Sequence, residues 1–348
     1  MNRAQLVKTL NPTSGIPGGE VIVEYKEISA DLLRSLEVRF AGASAHLVSA
    51  NRTRALAIIP EMASDGAIQV SVADNPAVQP SSGGLDFMLA RQVAGNLHPV
   101  ANPAFDPTDG ALFVTRSGSR GEHVPVSLYR IDSEGTIEDF SGDIMNPTSI
   151  AFDRTGRMFV TSRFDGTVYS ITSDREVVAF RSDLGVATGL AFNREGQMFV
   201  GDRSGTIYRI NEIGEAEPWA QHEPSVSAYH LAFGPDENLY VTGPTVSSFD
   251  SVIRFDQAGN PNEFFRGLGR PQGLAFDTAG NLYVAAALRG RRGIVKISPD
   301  GGKAELNVAG MNLVGVAFGP QGEMIVATND AVYSLPLGIY GRLLQNKV

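Results

Sequence analysis

Cysteine is absent from the 348-residue chain, which excludes disulfides and thiolate metal sites and leaves packing and hydrogen bonds to hold the fold. Tryptophan occurs once, at Trp219. No apolar run approaches the roughly 20 residues of a membrane-spanning helix. The first residues, MNRAQLVKTLNPTSG, lack an apolar signal core. Membrane insertion is therefore not expected, and the compartment is open between cytoplasm and export with loss of a signal. Basic charge is in deficit, with 29 Lys and Arg against 38 Asp and Glu. That balance disfavours nucleic acid or an anionic membrane as the main partner. Missing too are His-Glu-x-x-His, a P-loop and Gly-x-Ser-x-Gly, which removes three common catalytic frameworks. What remains is 43% hydrophobic and 19% charged residues, the composition of a soluble globular chain with an ample core.

A repeat is plainly present. NPTSIAFDRTGRMFV begins at Asn146, VATGLAFNREGQMFV at Val186 and RPQGLAFDTAGNLYV at Arg270. Ala-Phe pairs begin at Ala104, Ala151, Ala191, Ala232, Ala275 and Ala317, at spacings of 47, 40, 41, 43 and 42 residues. That period is typical of propeller blades, and short runs of Val, Ile, Phe and Tyr between Gly, Asp, Asn and Pro exclude a helical solenoid. In the third copy Gly189–Phe192 reads as the inner strand, QMFVGD as the second, Thr206–Ile210 as the third and EAEPWA as the fourth. Asp or Asn after Phe can bond its own backbone, and the glycine supplies a positive φ. The Ala-Phe and aromatic-Val letters are expected to be packing residues, Ala at the crowded axis and Phe in the wider interior. Acid pairs such as Asp106 with Asp109 read as turn formers.

The last copy has no fourth strand of its own, while LDFMLARQVAGNLHP precedes the first Ala-Phe. The pattern predicts that residues 85–91 supply that strand and shut the ring. Residues 1–75 alternate short strands with Pro-Gly punctuation and read as a small β-sandwich. Residues 76–84 read as a linker. The expected fold is all-β: an N-terminal Ig-like β-sandwich, then a six-bladed β-propeller over 85–348.

Two resemblances sharpen this. Asn11-Pro12-Thr13-Ser14-Gly15 with Gly18-Gly19, Phe40 to Gly42 and Ile59-Pro60 resembles the immunoglobulin-like IPT/TIG domain. EYKEISADLLRSLE stands where that domain has Gly-x-x-Phe and reads as a short helix. The P-x-G-[LIV]-A-F-x-x-x-G-x-[LM]-[FY]-V line resembles the six-bladed NHL-repeat and SMP-30/gluconolactonase-like propellers. This resemblance implies ligand recognition at a channel mouth, where loops approaching the inner strands meet those joining second to third strands.

Candidate residues follow from aligning the copies. Ahead of the inner strands stand His98, Asn102, Thr148, Thr188, Tyr229, His230 and Gln272; in the second-to-third loops stand Arg116, Arg120, Arg163, Arg203 and Arg289. Arginines around a concavity can clamp a carboxylate, sulfate or phosphate. The lactonase-like members hold a divalent cation on glutamate, asparagine and aspartate, but this chain has no carboxylate at the corresponding positions. The favoured reading is a non-catalytic module binding a small anionic or carbohydrate-like ligand or a protein partner, with no cofactor expected. The alternative is a metal-dependent hydrolase or lyase acting on a lactone or sugar acid, a cation then resting on His98, Asn102 and His230.

Overall fold

The structure is a computed structural model that describes residues 6–72, 85–119, 121–247 and 249–341. The linker expected at 76–84 and Arg120 lie outside these residues. In the N-terminal unit, one sheet runs Val7–Asn11, Glu20–Tyr25, Arg54–Ile58, His46–Ala50. A second pairs Leu36–Phe40 with Gly66–Val72, and Gly66–Val72 with Leu85–Leu89. Alternate residues of Glu20–Tyr25, Leu36–Phe40 and Arg54–Ile58 point inward, as a half-buried pleat requires. Val21, Val23, Tyr25, Val38, Phe40, Ile68 and Phe87 thus share one core, where Phe40 meets Phe87 edge to face at 5.1 Å. The short helix expected in this region is a 3-10 turn, Ala30–Ser35.

Among the described residues, six groups of four strands follow, called sheets below, of which the fourth and fifth are joined by pairing of Leu268–Gly269 with Ala287–Leu288. The first is Ala104–Phe105, Leu112–Thr115, Leu128–Ile131, Ile137–Ser141. The second is Pro147–Phe152, Met158–Ser162, Thr167–Ile171, Val177–Arg181. The third is Ala187–Phe192, Met198–Asp202, Thr206–Ile210, Ala216–Gln221. The fourth is His230–Phe233, Leu239–Thr242, Asp250–Phe255, Pro261–Gly269. The fifth is Leu274–Phe276, Leu282–Leu288, Arg291–Ile297, Ala304–Ala309. The sixth is Leu313–Phe318, Met324–Thr328, Val332–Leu335 and, at its outer edge, Arg91–Ala94.

Four inner hairpins are set by the aspartate or asparagine after Phe, at Asp106, Asp153, Asn193 and Asp277; the fourth and sixth have glycine there, Gly234 and Gly319. Asp153 Oδ1 accepts from the backbone N–H of Thr155 and Arg157, and Gly156 takes φ 83°. Asp106 and Asp109 likewise accept from the N–H of Thr108 and Ala111. Phenylalanines of the repeat pack between sheets: Phe152 against Phe113, Phe192 against Phe159, Phe276 against Tyr240. Trp219 sits in an outer strand against Phe199.

The closing strand differs from expectation. Leu85–Leu89 does not join the sixth sheet; it completes the N-terminal unit, where Phe87 is buried. The strand beside Val332–Leu335 is Arg91–Ala94, so only Arg91 of the expected 85–91 segment takes part. Ala90 alone separates the two pairings. Both sheets present an open edge, and a run of apolar letters cannot say which residues satisfy which.

Hydrogen bonds tie every neighbouring pair of sheets near the axis. Ser117 Oγ donates to Pro147 O, Thr161 Oγ1 to Thr188 O, the Tyr229 N–H to Thr188 Oγ1, and Thr242 Oγ1 to Gln272 O. The Gly273 N–H donates to Val314 O. The Val316 N–H donates to Asn102 Oδ1, joining the sixth sheet to the chain that opens the first.

The N-terminal unit is joined to the fifth sheet by backbone pairing. Ser14–Gly15 lies parallel between Leu85–Leu89 and Ala304–Ala309. A side chain at Gly15 would stand 2.5 Å from Ile59 Cδ1 and 2.9 Å from Ala309 O, which is why glycine occupies this crossing. Arg291 secures it from the other side, donating to Asn11 O and Asn11 Oδ1, each at 2.8 Å.

Candidate functional site at the channel mouth

Residues preceding the inner strands do two different jobs. Asn102 is a bridge: Nδ2 donates to Leu274 O at 2.8 Å while Oδ1 accepts from the Val316 N–H at 3.0 Å. Gly273 and Gly315 make room for it, since a Cβ on Gly273 would fall 1.9 Å from Asn102 Oδ1. Thr188 is buried, its hydroxyl donating to Gly201 O and accepting from the Tyr229 N–H. The Tyr229 hydroxyl donates to Glu223 O, and burial pushes its pKa up, with the Glu223 and Asp202 charges adding to the shift. Gln272 is held through its backbone, its O accepting from Thr242 and its N–H donating to Ala285 O. These residues are seam elements.

Thr148 and His230 stand apart. Both are buried, and neither Thr148 Oγ1 nor His230 Nε2 has a hydrogen-bond partner. Burial pushes the His230 pKa down to about 4, so the ring is neutral at pH 7. His98 is exposed, in a left-handed turn with φ 49°.

Of the four described arginines, the structure brings two together. Arg116 Nη1 donates to the Tyr129 hydroxyl at 3.0 Å. Arg289 occupies the two-residue turn between Leu288 and Arg291, beside the N-terminal unit's docking arginine. Arg163 and Arg203 instead line one concavity of about 770 Å³, with Asn146, Phe164, Gly185, Val186, Asp202, Ser204, Pro224 and Ser225.

That concavity is built by three loops. Asn146 takes a left-handed φ of 44°; its Nδ2 donates to Gly118 O and Ser119 O, and its Oδ1 accepts from the Gly121 N–H. Asp202, buried at the end of its strand, accepts from the Val186 N–H at 2.7 Å and from the Ser204 hydroxyl. The Ser225 N–H donates to Arg203 O, and Ser225 Oγ to Pro244 O. Neither the Arg163 nor the Arg203 side chain has an ion pair or hydrogen bond among the described residues. Lost hydration, then the nearby Arg203 charge, hold the Arg163 pKa below the usual guanidinium value. A guanidinium does not deprotonate in this range, so the direction records first the partial loss of hydration of Arg163 and only second its repulsion from Arg203.

The fold is that of a β-propeller. Solved structures agree. An auxiliary nutrient binding protein from Bacteroides thetaiotaomicron matches over 94% of this chain and 96% of its own, at 14% identity and TM-score 0.57. A gluconolactonase from Xanthomonas campestris matches over 71% of this chain and 89% of its own, at 16% identity and TM-score 0.58. Regucalcin, a calcium-binding protein from Agrobacterium tumefaciens, covers 74% and 96%, also at 16% and 0.58. At such identities the likeness carries the architecture alone. No protein-family model matches this chain, and no curated protein sequence matches it.

The donor set does not suit the cation that the lactonase-like resemblance implies. Both amide atoms of Asn102 are engaged in backbone hydrogen bonds. Among the described residues no group of three or more His, Cys, Asp or Glu side chains gathers to hold a metal ion. A hard divalent cation needs about six oxygen ligands, usually with carboxylates among them.

Alignment of the copies missed Phe164, Val186, Ser204 and Pro224 in the concavity, and Thr161 and Thr242 in the seams. The threonines had a signal: Thr115, Thr161 and Thr242 each follow the aromatic-Val pair. A second cavity of about 480 Å³ is lined by Phe105, Phe192, Phe233, Phe276 and Phe318 among others. Gly341 borders it, bridged to Asp277.

Proposed function

We propose that this protein is a non-catalytic binding module: an Ig-like, IPT/TIG-type unit fixed to a six-bladed propeller that takes an anionic group between Arg163 and Arg203, with no cofactor. One observation carries the reading. Two guanidinium groups crowd one concavity with no carboxylate paired to either, and a bound anion would remove that repulsion while gaining charge-assisted hydrogen bonds. The likeness to the nutrient binding protein adds support, because it extends over 94% of the chain and so takes in most of the N-terminal unit. The lactonase-like hydrolase is the second reading; its propeller likeness favours it and the unsuited donor set opposes it. Thermal melts with sodium sulfate or citrate, at ionic strength held constant with sodium chloride, test the proposal. A saturable rise in Tm that disappears in Arg163→Ala and Arg203→Ala is expected, since a ligand specific for the native state must stabilise it. Equal melting in all salts sinks the anion site.

A further inference from the structure

Several large apolar side chains are exposed on the loops that carry or adjoin the two arginines. Phe164 is 52% exposed, Phe249 67% and Val246 91%, and Val186 and Val226 are exposed as well. Phe164 and Val186 line the concavity itself. The others are connected to it by hydrogen bonds: Ser225 joins the Arg203 loop to Pro244, the Val226 N–H also donates to Pro244 O, and Val246 and Phe249 lie in the loop that Pro244 begins. That loop is held in shape, since Thr245 donates through its N–H and hydroxyl to Asp250 Oδ1, and the Phe249 N–H donates to Ser247 Oγ. Hydrogen-bonded loops of the second, third and fourth sheets therefore present large apolar side chains to water on the side of the molecule that carries the two unpaired arginines.

We infer that this face docks an acidic-apolar peptide segment of a partner protein, with an Asp or Glu carboxylate between Arg163 and Arg203 and neighbouring apolar side chains on Phe164 and on the Val226–Phe249 surface. The inference rests on the anion reading above and names its partner. Charge complementarity selects the acid: the chain as a whole has a net charge of -9, yet here two arginines without ion pairs outnumber the one carboxylate of the concavity, Asp202, which is itself occupied with the Val186 N–H and the Ser204 hydroxyl. Apolar patches with arginine and aromatic residues at their centre are the composition of protein interfaces. A small inorganic anion would use the arginines and leave the five apolar side chains without a role.

The test pans phage-displayed random twelve-residue peptides against the full chain in 50 mM NaCl, with Arg163→Ala/Arg203→Ala protein as counter-selection. Enriched sequences should carry Asp or Glu beside aromatic or aliphatic residues. Synthetic copies, measured by calorimetry, should bind about tenfold more weakly or worse to Arg163→Ala, Arg203→Ala and Phe164→Ala. The same loss should follow when peptide acids become amides, and affinity should fall as NaCl is raised to 0.5 M. All three altered side chains are exposed, and matching melting curves verify the fold. No enrichment, enrichment without acids, or binding indifferent to the variants overturns the inference. Sulfate protection through the arginines without such peptides leaves the anion site standing alone; loss of both removes the two readings together.

Discussion

Thr161→Val should damage the protein far more than its nearly identical volume suggests. The second sheet's inner strand shifts register between Pro147 and Ile150, which leaves the Ser149 N–H outside the ladder. Thr161 Oγ1 accepts from that N–H at 3.0 Å and donates to Thr188 O in the third sheet at 2.8 Å. The threonine is fully buried, with 0% exposure, so valine would keep the packing and strand both backbone groups away from water. Each orphaned group costs about 1–3 kcal/mol, and two of them roughly 2–4 kcal/mol once local relaxation is allowed. That is a large fraction of the 5–15 kcal/mol, in round terms about 10, that holds a typical domain. Thr161→Ser keeps the hydroxyl and loses one methyl, costing about 1 kcal/mol. Equilibrium urea unfolding of the three proteins gives the comparison directly. The reasoning fails if valine is within about 0.5 kcal/mol of wild type, or if serine is the more damaging change.

Gly273→Ala should lower Tm by several degrees, its Cβ colliding with Asn102 Oδ1 and lying 2.7 Å from Val314 O; an unchanged melt would mean that Asn102 is free to move. For His230, burial places the folded pKa at about 4, below the ordinary value of 6.5. The unfolded chain therefore binds the extra proton, and stability present above pH 6.5 drains away as pH falls toward 4, by about 3 kcal/mol for this group. His230→Gln should flatten that part of the stability-pH curve, and an identical slope would refute the assignment. Arg163→Ala, tested without ligand at low ionic strength, should leave the protein as stable or slightly more so, because the lost hydration of the guanidinium and its repulsion from Arg203 disappear. Arg291→Ala should loosen the seam between N-terminal unit and propeller, seen as faster hydrogen exchange at Asn11–Ile16 with little change at Leu282–Val284.

The repeat was legible because its information is local. Asp or Asn after Phe, then glycine, determines a hairpin within a few residues, so the third copy's four strands fall where periodicity placed them. Pairing between distant segments was not. LDFMLARQVA serves two sheets in succession, and nothing in its letters marks Ala90 as the change of partner. Arginine positions that align in sequence also diverge in space, because loop lengths differ: Arg289 sits at the tip of a long tight hairpin, and Arg116 is drawn to Tyr129. Arg163 and Arg203 meet because their loops belong to adjacent sheets and share similar lengths. Asn102 read as a ligand position and proved to be a crossbeam, since an amide offers the same donor and acceptor to a backbone as to a guest.

The handover at Ala90 also bears on how such a chain can be inherited. Residues just before it complete the N-terminal unit and residues just after it complete the sixth sheet, so one part ends and the next begins across a single residue with no linker between them. A recombination event that swapped the front unit for a foreign one at residue 84 would deprive that unit of its edge strand, and one at residue 94 would leave the ring with an open edge. Only a junction at Ala90 itself leaves each part with its own edge strand, which narrows the point at which such units can be exchanged to that residue.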